Sequence, residues 1–127
     1  MIEGLKEEYE KTTKELNEKR IELVKLLNLE EKITIDDKTA RELGFNDRQA
    51  YIEYYVKMMA ERIRVSSIRI INGNKIKIIH SFGIFSDSAI YSVKDMQKFK
   101  ELLEEIKKLE DREVELRRIL VEHRPIE

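Results

Sequence analysis

Cysteine and tryptophan are missing from this 127-residue chain, histidine occurs twice, proline once and glycine four times. Without cysteine there is no disulfide framework, thiolate metal site or cysteine nucleophile, and the redox compartment cannot be read. The glycines, Gly4, Gly44, Gly73 and Gly83, build no phosphate-cradling loop, and all but Gly4 read as turn or helix-end positions. His80 and His123 stand far apart, and neither an H-E-x-x-H nor a G-x-S-x-G pattern occurs. A non-enzyme holding no metal or cofactor is the expectation. No segment approaches the roughly 18 consecutive apolar residues of a membrane span. The opening Met1-Ile2-Glu3-Gly4 is acidic where a signal peptide is basic. These absences predict a cytoplasmic protein with no membrane association.

What the chain has is charge: 40% of residues are charged and 41% hydrophobic. That balance excludes a disordered polar tail and describes a folded protein with much charged surface, for which long solvated helices are the usual source. The length suits a single domain. Abundant Lys, Glu and Ile without Cys or Trp resembles the bias of hyperthermophile proteins, in which ion-pair networks cost less as temperature rises. A thermophilic source is the expectation on that ground.

Ile2, Leu5, Tyr9, Thr12, Leu16, Lys19, Leu23 and Leu26 follow one another in alternating steps of three and four, the spacing of one helical seam. This predicts a long helix over 3–28, interrupted in its seam by Thr12 and Lys19. Phe99, Leu102, Ile106, Leu109, Glu113, Leu116 and Leu120 repeat the pattern and predict a second over 94–122. Ser92 followed three residues later by Asp95 reads as a capping box at its start, and Pro125 limits its end. At 1.5 Å per residue each helix spans about 40 Å, more than the residues between them can cover. The seams are therefore expected to pack on each other, on another copy, or on both. The predicted contacts of a homo-oligomer, dimer or tetramer, are Leu5, Tyr9, Leu16 and Leu23 on the first helix and Phe99, Leu102, Ile106, Leu109, Leu116 and Leu120 on the second.

Between the helices Ile33-Thr34-Ile35 is short and β-branched, Asp37 to Leu43 reads as a helical turn ending at Gly44, and Asn46 followed by Gln49 predicts a helix over 46–63. Ile52, Val56, Met59 and Ile63 form its core stripe, flanked by Tyr51, Tyr55, Met58 and Arg62. Residues 65–92 are strand-like, with Asn72-Gly73 as a hairpin signal. A three-residue loop, Asn72-Gly73-Asn74, places Ile68, Ile70, Ile76 and Ile78 on one face and Arg69, Lys75 and Lys77 with Ile71 and Ile79 on the other. A one-residue slip would mix the two sets. Phe82 to Phe85 and Ala89 to Tyr91 are expected as two further short strands turning at Ser86-Asp87. The fold expected is α+β, two long helices framing a small antiparallel sheet of three or four strands with a central helix.

Residues 57–93 hold six basic and two acidic side chains, whereas every other part of the chain carries a slight acidic excess. A single-strand site needs cations for phosphates and exposed rings on which bases stack, at roughly 1–3 kcal/mol per base. Arg62, Arg64, Arg69, Lys75 and Lys77 are the candidate cations, with His80 beside them. Tyr51, Tyr55, Phe82, Phe85 and Tyr91 are the candidate platforms. The structural alternative places the rings in the core beneath the sheet and leaves the lysines to solvate its other face.

The layout resembles that of the ThermoDBP-related single-stranded DNA-binding proteins of thermophilic archaea. The resemblance lies in Asn46 to Tyr91, notably Ser67-Ile-Arg-Ile-Ile-Asn-Gly-Asn-Lys-Ile-Lys-Ile-Ile-His-Ser-Phe82, followed by the helix from Lys94. It implies sequence-tolerant binding of single-stranded DNA by a symmetric oligomer, RNA being the other candidate. The strongly heptad N-terminal helix departs from that pattern. A rival reading is a coiled-coil scaffold or prefoldin-like chaperone, although that layout has no counterpart of the 46–63 helix. A duplex-DNA regulator needs a basic recognition helix, and here Arg48, Lys57 and Arg62 are offset by Glu53 and Glu61.

Overall fold

The computed structural model describes residues 2–82 and 85–122, and the side chains of all of these except Ser81, Phe82 and Phe85. His123 and Pro125 lie outside the described residues. The order is α1 (Ile2–Lys25), α2 (Asp37–Glu42), α3 (Arg48–Arg62), β1 (Ile68–Asn72), β2 (Lys75–Phe82), β3 (Phe85–Ser92) and α4 (Met96–Glu122), with 3-10 turns at 29–31 and 65–67. The strands form one antiparallel sheet in the order β1-β2-β3.

The two long seams meet within the chain. α1 and α4 pack as an antiparallel hairpin whose base is closed by a single β-bridge, Leu27 to Val93. Asn28 N–H donates to Ser92 O at 2.9 Å and Lys94 N–H to Leu26 O at 2.7 Å, while Val93 N–H donates to Asn74 O at 2.7 Å. These bonds join the hairpin to the sheet. Leu16, Leu23, Phe99, Leu102, Ile106 and Leu116 are at most 5% exposed in the single chain. They were expected as contacts between copies; intramolecular packing has already withdrawn them from water. Tyr9 is half-buried with its hydroxyl against Arg117 of the same chain, and Leu109 packs on the core. Of the expected interface, Leu5 and Leu120 at the free end remain half-buried.

The seam also drifts. α1 buries Thr12, Leu16, Arg20, Leu23 and Val24, following the 3.6-residue period of a straight helix rather than strict heptads. Lys19 is thereby turned to the seam's edge, where it meets Glu105 at 3.1 Å. Arg20 takes the buried place and reaches Glu110 at 2.8 Å. The polar interruptions of the two helices lie near one another: Thr13 Oγ1 donates to Glu113 Oε2 at 3.0 Å, beside the buried Thr12.

The short elements follow from their caps. Asp36 accepts from Thr39 N–H at 2.8 Å and starts α2, and Gly44, at φ 99°, ends it in the left-handed region. α3 is capped by Asp47, which accepts from Ala50 N–H at 2.8 Å, one residue after the expected Asn46. The cap of α4 is Asp95, accepting from Lys98 N–H at 3.1 Å; Ser92, the expected cap, is the last residue of β3 and pairs with Lys75. Ile33-Thr34-Ile35 joins no strand, because the Arg48 guanidinium takes the carbonyls of Ile33 and Ile35 at 2.8 and 3.0 Å.

The β1–β2 register is the one the side chains required: Ile68 opposite Ile78, Arg69 opposite Lys77, Ile70 opposite Ile76. The loop differs. Asn72 pairs with Lys75, so the turn is the two residues Gly73-Asn74, and an irregularity at Ile71 supplies the extra residue that preserves the register. Ser86 and Asp87 make no turn; they pair with Ser81 and His80 inside an eight-residue β3. The sheet thus has three strands, and residues 65–67 are helical instead of extended. Ile68, Ile76, Ile78 and Tyr91 join Ile52, Val56, Met59, Ile63, Leu23 and Phe99 in one buried cluster.

Candidate nucleic-acid interface

Antiparallel pairing sorts the strands' side chains by parity. Arg69, Lys75, Lys77 and Ile79 share the outer face with Ser88, Ile90 and Ser92, their neighbours on β3. Ile90 is 47% exposed and the bulged Ile71 46%. The face is therefore basic and partly apolar, as expected, and β3 adds hydroxyls to it, but it carries none of the described rings. Tyr91 lies on the inner face and is 5% exposed. Burial first, and then the neighbouring Tyr55 hydroxyl, push its phenol up to about 12. It is a core residue and cannot serve as a stacking platform while the fold is intact. Lys32 lies over its ring at 5.6 Å.

The other tyrosines belong to α3. Tyr51 meets Phe45 edge-on at 5.2 Å, Tyr54 approaches the same ring at 5.2 Å, and Tyr51 and Tyr55 are 6.4 Å apart. Phe82 and Phe85 are register partners at the end of the β2–β3 hairpin, and their side chains lie outside the described residues.

β1 begins at Ile68, opposite Ile78, so residues 79–82 of β2 have a strand neighbour on one side only. On the open side a groove of about 710 Å³ is lined by Tyr55, Met58, Met59 and Arg62 of α3, by Ser67, and by Ile79, His80 and Asp87 of the sheet. Ile79 belongs to the outer face and His80 to the inner, so the groove and the basic face meet at this step in the sheet edge. The structure thus divides the expected site. Arg69, Lys75 and Lys77 lie on the outer face; Tyr55, Arg62 and His80 line the groove; Tyr51 stands one helical turn away; Tyr91 is buried.

Hydrogen bonds orient some of the cations. Arg64 donates to the carbonyls of Glu61 and Ile63 at 3.0 and 2.7 Å, and Arg69 to those of Ser66 and Ile68 at 2.9 and 3.1 Å. Lys75 donates to Ser92 Oγ at 3.4 Å. Among the described residues, no Lys or Arg of 57–93 is in an ion pair; every pair lies in 8–30 or 94–117 or joins the two. Arg48, counted above as a recognition-helix cation, is spent on loop carbonyls.

Sequence reasoning missed Met58, Met59, Ser67, Ile79 and Asp87 as parts of the groove. The pairing of β2 with β3 sets Asp87 opposite His80, whereas Ser86-Asp87 had been expected to turn. Among the described residues no group of His, Asp or Glu is arranged to hold a metal ion, and no helix is long and apolar enough to cross a membrane. Neither a known protein family, a curated protein nor a solved structure matches this chain.

Proposed function

We propose that the chain is a non-enzymatic binder of single-stranded nucleic acid, DNA or RNA, which it holds along the outer sheet face and the adjoining groove. Arg62, Arg69, Lys75 and Lys77, which among the described residues have no ionic partner, carry this reading. Unneutralised cations clustered on one surface attract a polyanion and release its counterions on binding. The outer face offers Lys75, Lys77 and Arg69 to phosphates, and the groove offers Tyr55, Met58 and Arg62 to a base and its phosphate. An unpaired strand can follow that step, whereas a stiff duplex would have to bend around it. The same use of a basic, partly apolar sheet surface underlies the resemblance to the ThermoDBP-related proteins.

Fluorescence anisotropy with labelled oligo-dT, oligo-rU and a duplex control tests this at two salt concentrations. Single strands are expected to bind at micromolar protein or below and to lose affinity with salt, and Lys75→Glu/Lys77→Glu should cost at least about tenfold. Absence of binding by folded protein overturns the reading.

The scaffold reading draws on a different observation. At the free end of the hairpin Ile2, Val114 and Val121 are 40, 59 and 62% exposed. A second copy covering them would make the homo-oligomer, and the scaffold and nucleic-acid readings are compatible with it alike. Analytical ultracentrifugation of wild type and Val114→Glu/Val121→Glu separates monomer from assembly.

A further inference from the structure

Asp87 fits poorly on a surface that meets only phosphates. It and Glu61 are the two acids of residues 57–93, and it lies in the wall of the groove as the register partner of His80. A carboxylate there repels a polyanion and lowers its affinity. One of its oxygens accepts from Ser88 N–H at 2.8 Å, and among the described residues it is in no ion pair.

The same group is well suited to the edge of a base. An ionised carboxylate only accepts hydrogen bonds, so it discriminates bases by their N–H donors. Guanine presents two adjacent donors on its pairing edge, N1–H and the 2-amino group, which match the two carboxylate oxygens. Adenine and cytosine set an acceptor nitrogen beside a single amino group, and thymine and uracil set one N–H between two carbonyls. Each of these would turn a lone pair toward the second carboxylate oxygen.

The remaining groove residues provide what a bound base needs. Tyr55 is half-buried and its hydroxyl neighbours that of the buried Tyr91, which steadies the ring; Met58 adds a polarisable wall. Arg62 is exposed on the groove rim and among the described residues is in no ion pair. We propose that the groove is a guanine pocket, in which Asp87 accepts from N1–H and the 2-amino group of an unpaired guanine stacked on Tyr55 while Arg62 meets an adjacent phosphate. This rests on the single-strand reading and adds a base preference that the reading does not require.

The test is competition anisotropy with four short oligonucleotides, all-dT and dT strands carrying one central dG, dA or dC, on the full chain. The dG strand is expected to bind about tenfold more tightly than the other three, as one bidentate base contact allows. Deoxyinosine at that position, which lacks the 2-amino group, should fall between. Asp87→Asn should weaken dG binding and strengthen all-dT binding, because it removes both the paired acceptors and the repulsion. Circular dichroism should show the fold of this variant retained. Equal affinity of wild type for all four strands overturns the pocket and leaves single-strand binding standing. A dG preference that survives Asp87→Asn also overturns the pocket. Failure to bind any strand removes the single-strand reading and the pocket together.

Discussion

Lys19, Arg20, Arg112 and Arg117 each reach a carboxylate within the α1–α4 hairpin, whereas Arg62, Arg69, Lys75 and Lys77 on the other side of the joint reach none among the described residues. Both regions are rich in cations, but only the hairpin supplies acids at helical spacing to answer them. Most of those pairs are exposed and contribute little each. Their effect is to leave the hairpin nearly neutral, so that the sheet unit of α3 and the three strands is where an anion finds unanswered charge. Arg20 is the exception within the hairpin. It is 7% exposed, its Nε has no hydrogen-bond partner, and Glu110 is what keeps its charge from being buried alone.

The most damaging change should fall on the packing the two regions share. Phe99 is fully buried in the cluster joining α1, α3, α4 and the sheet, and Phe99→Ala is expected to cost about 3–5 kcal/mol. Urea unfolding should show the hairpin and sheet lost in one transition; separate transitions would mean that they are independent units. Next comes the buried pair. Glu110→Leu strands the Arg20 guanidinium, and since Glu110 is itself partly exposed the loss should be about 2 kcal/mol, below the range for a fully buried pair. Arg20→Met/Glu110→Leu should recover most of that stability. Removing the α3 cap by Asp47→Ala should cost about 1 kcal/mol in the same assay.

The sheet's inner face carries a pH-dependent contribution to stability. Tyr91 titrates in the fold at about 12, above the ordinary 10.0, because burial disfavours the phenolate. The folded state therefore keeps a proton that the unfolded chain releases. Stability present below pH 10 is lost as pH rises from 10 toward about 12. Tyr91→Phe should flatten that alkaline loss in thermal unfolding. The smallest stability effect belongs to the outer face: Lys77→Glu should change stability by no more than about 0.5 kcal/mol, since it breaks no ion pair.

Much of this was legible because periodicity is local. Steps of three and four revealed α1 and α4, and the separation of isoleucines from lysines required the β1–β2 register before any turn was known. The failures come from facts that periodicity does not contain. A seam of apolar residues does not say whose seam covers it, and here Leu16, Phe99 and Leu116 are covered within the chain. Arg20 went unnoticed because it is charged, although it stands four residues after Leu16 and three before Leu23, where a straight helix turns inward. The rings were assigned beside the lysines by composition. Parity puts Tyr91 on the opposite face, and the β2–β3 pairing that settles this runs through Ser86 and Asp87, which read from sequence as a turn.

On the proposed function, the unpaired cations of the sheet unit, and not the paired ones of the hairpin, meet an external polyanion. Anisotropy with oligo-dT across a salt series, on Lys75→Glu/Lys77→Glu and on Lys19→Glu/Arg112→Glu, tests it directly. The first variant should lose at least about tenfold in affinity and show a shallower salt slope, while the second keeps the wild-type slope and is less stable. Equal losses from the two variants, or none from the first, would contradict it.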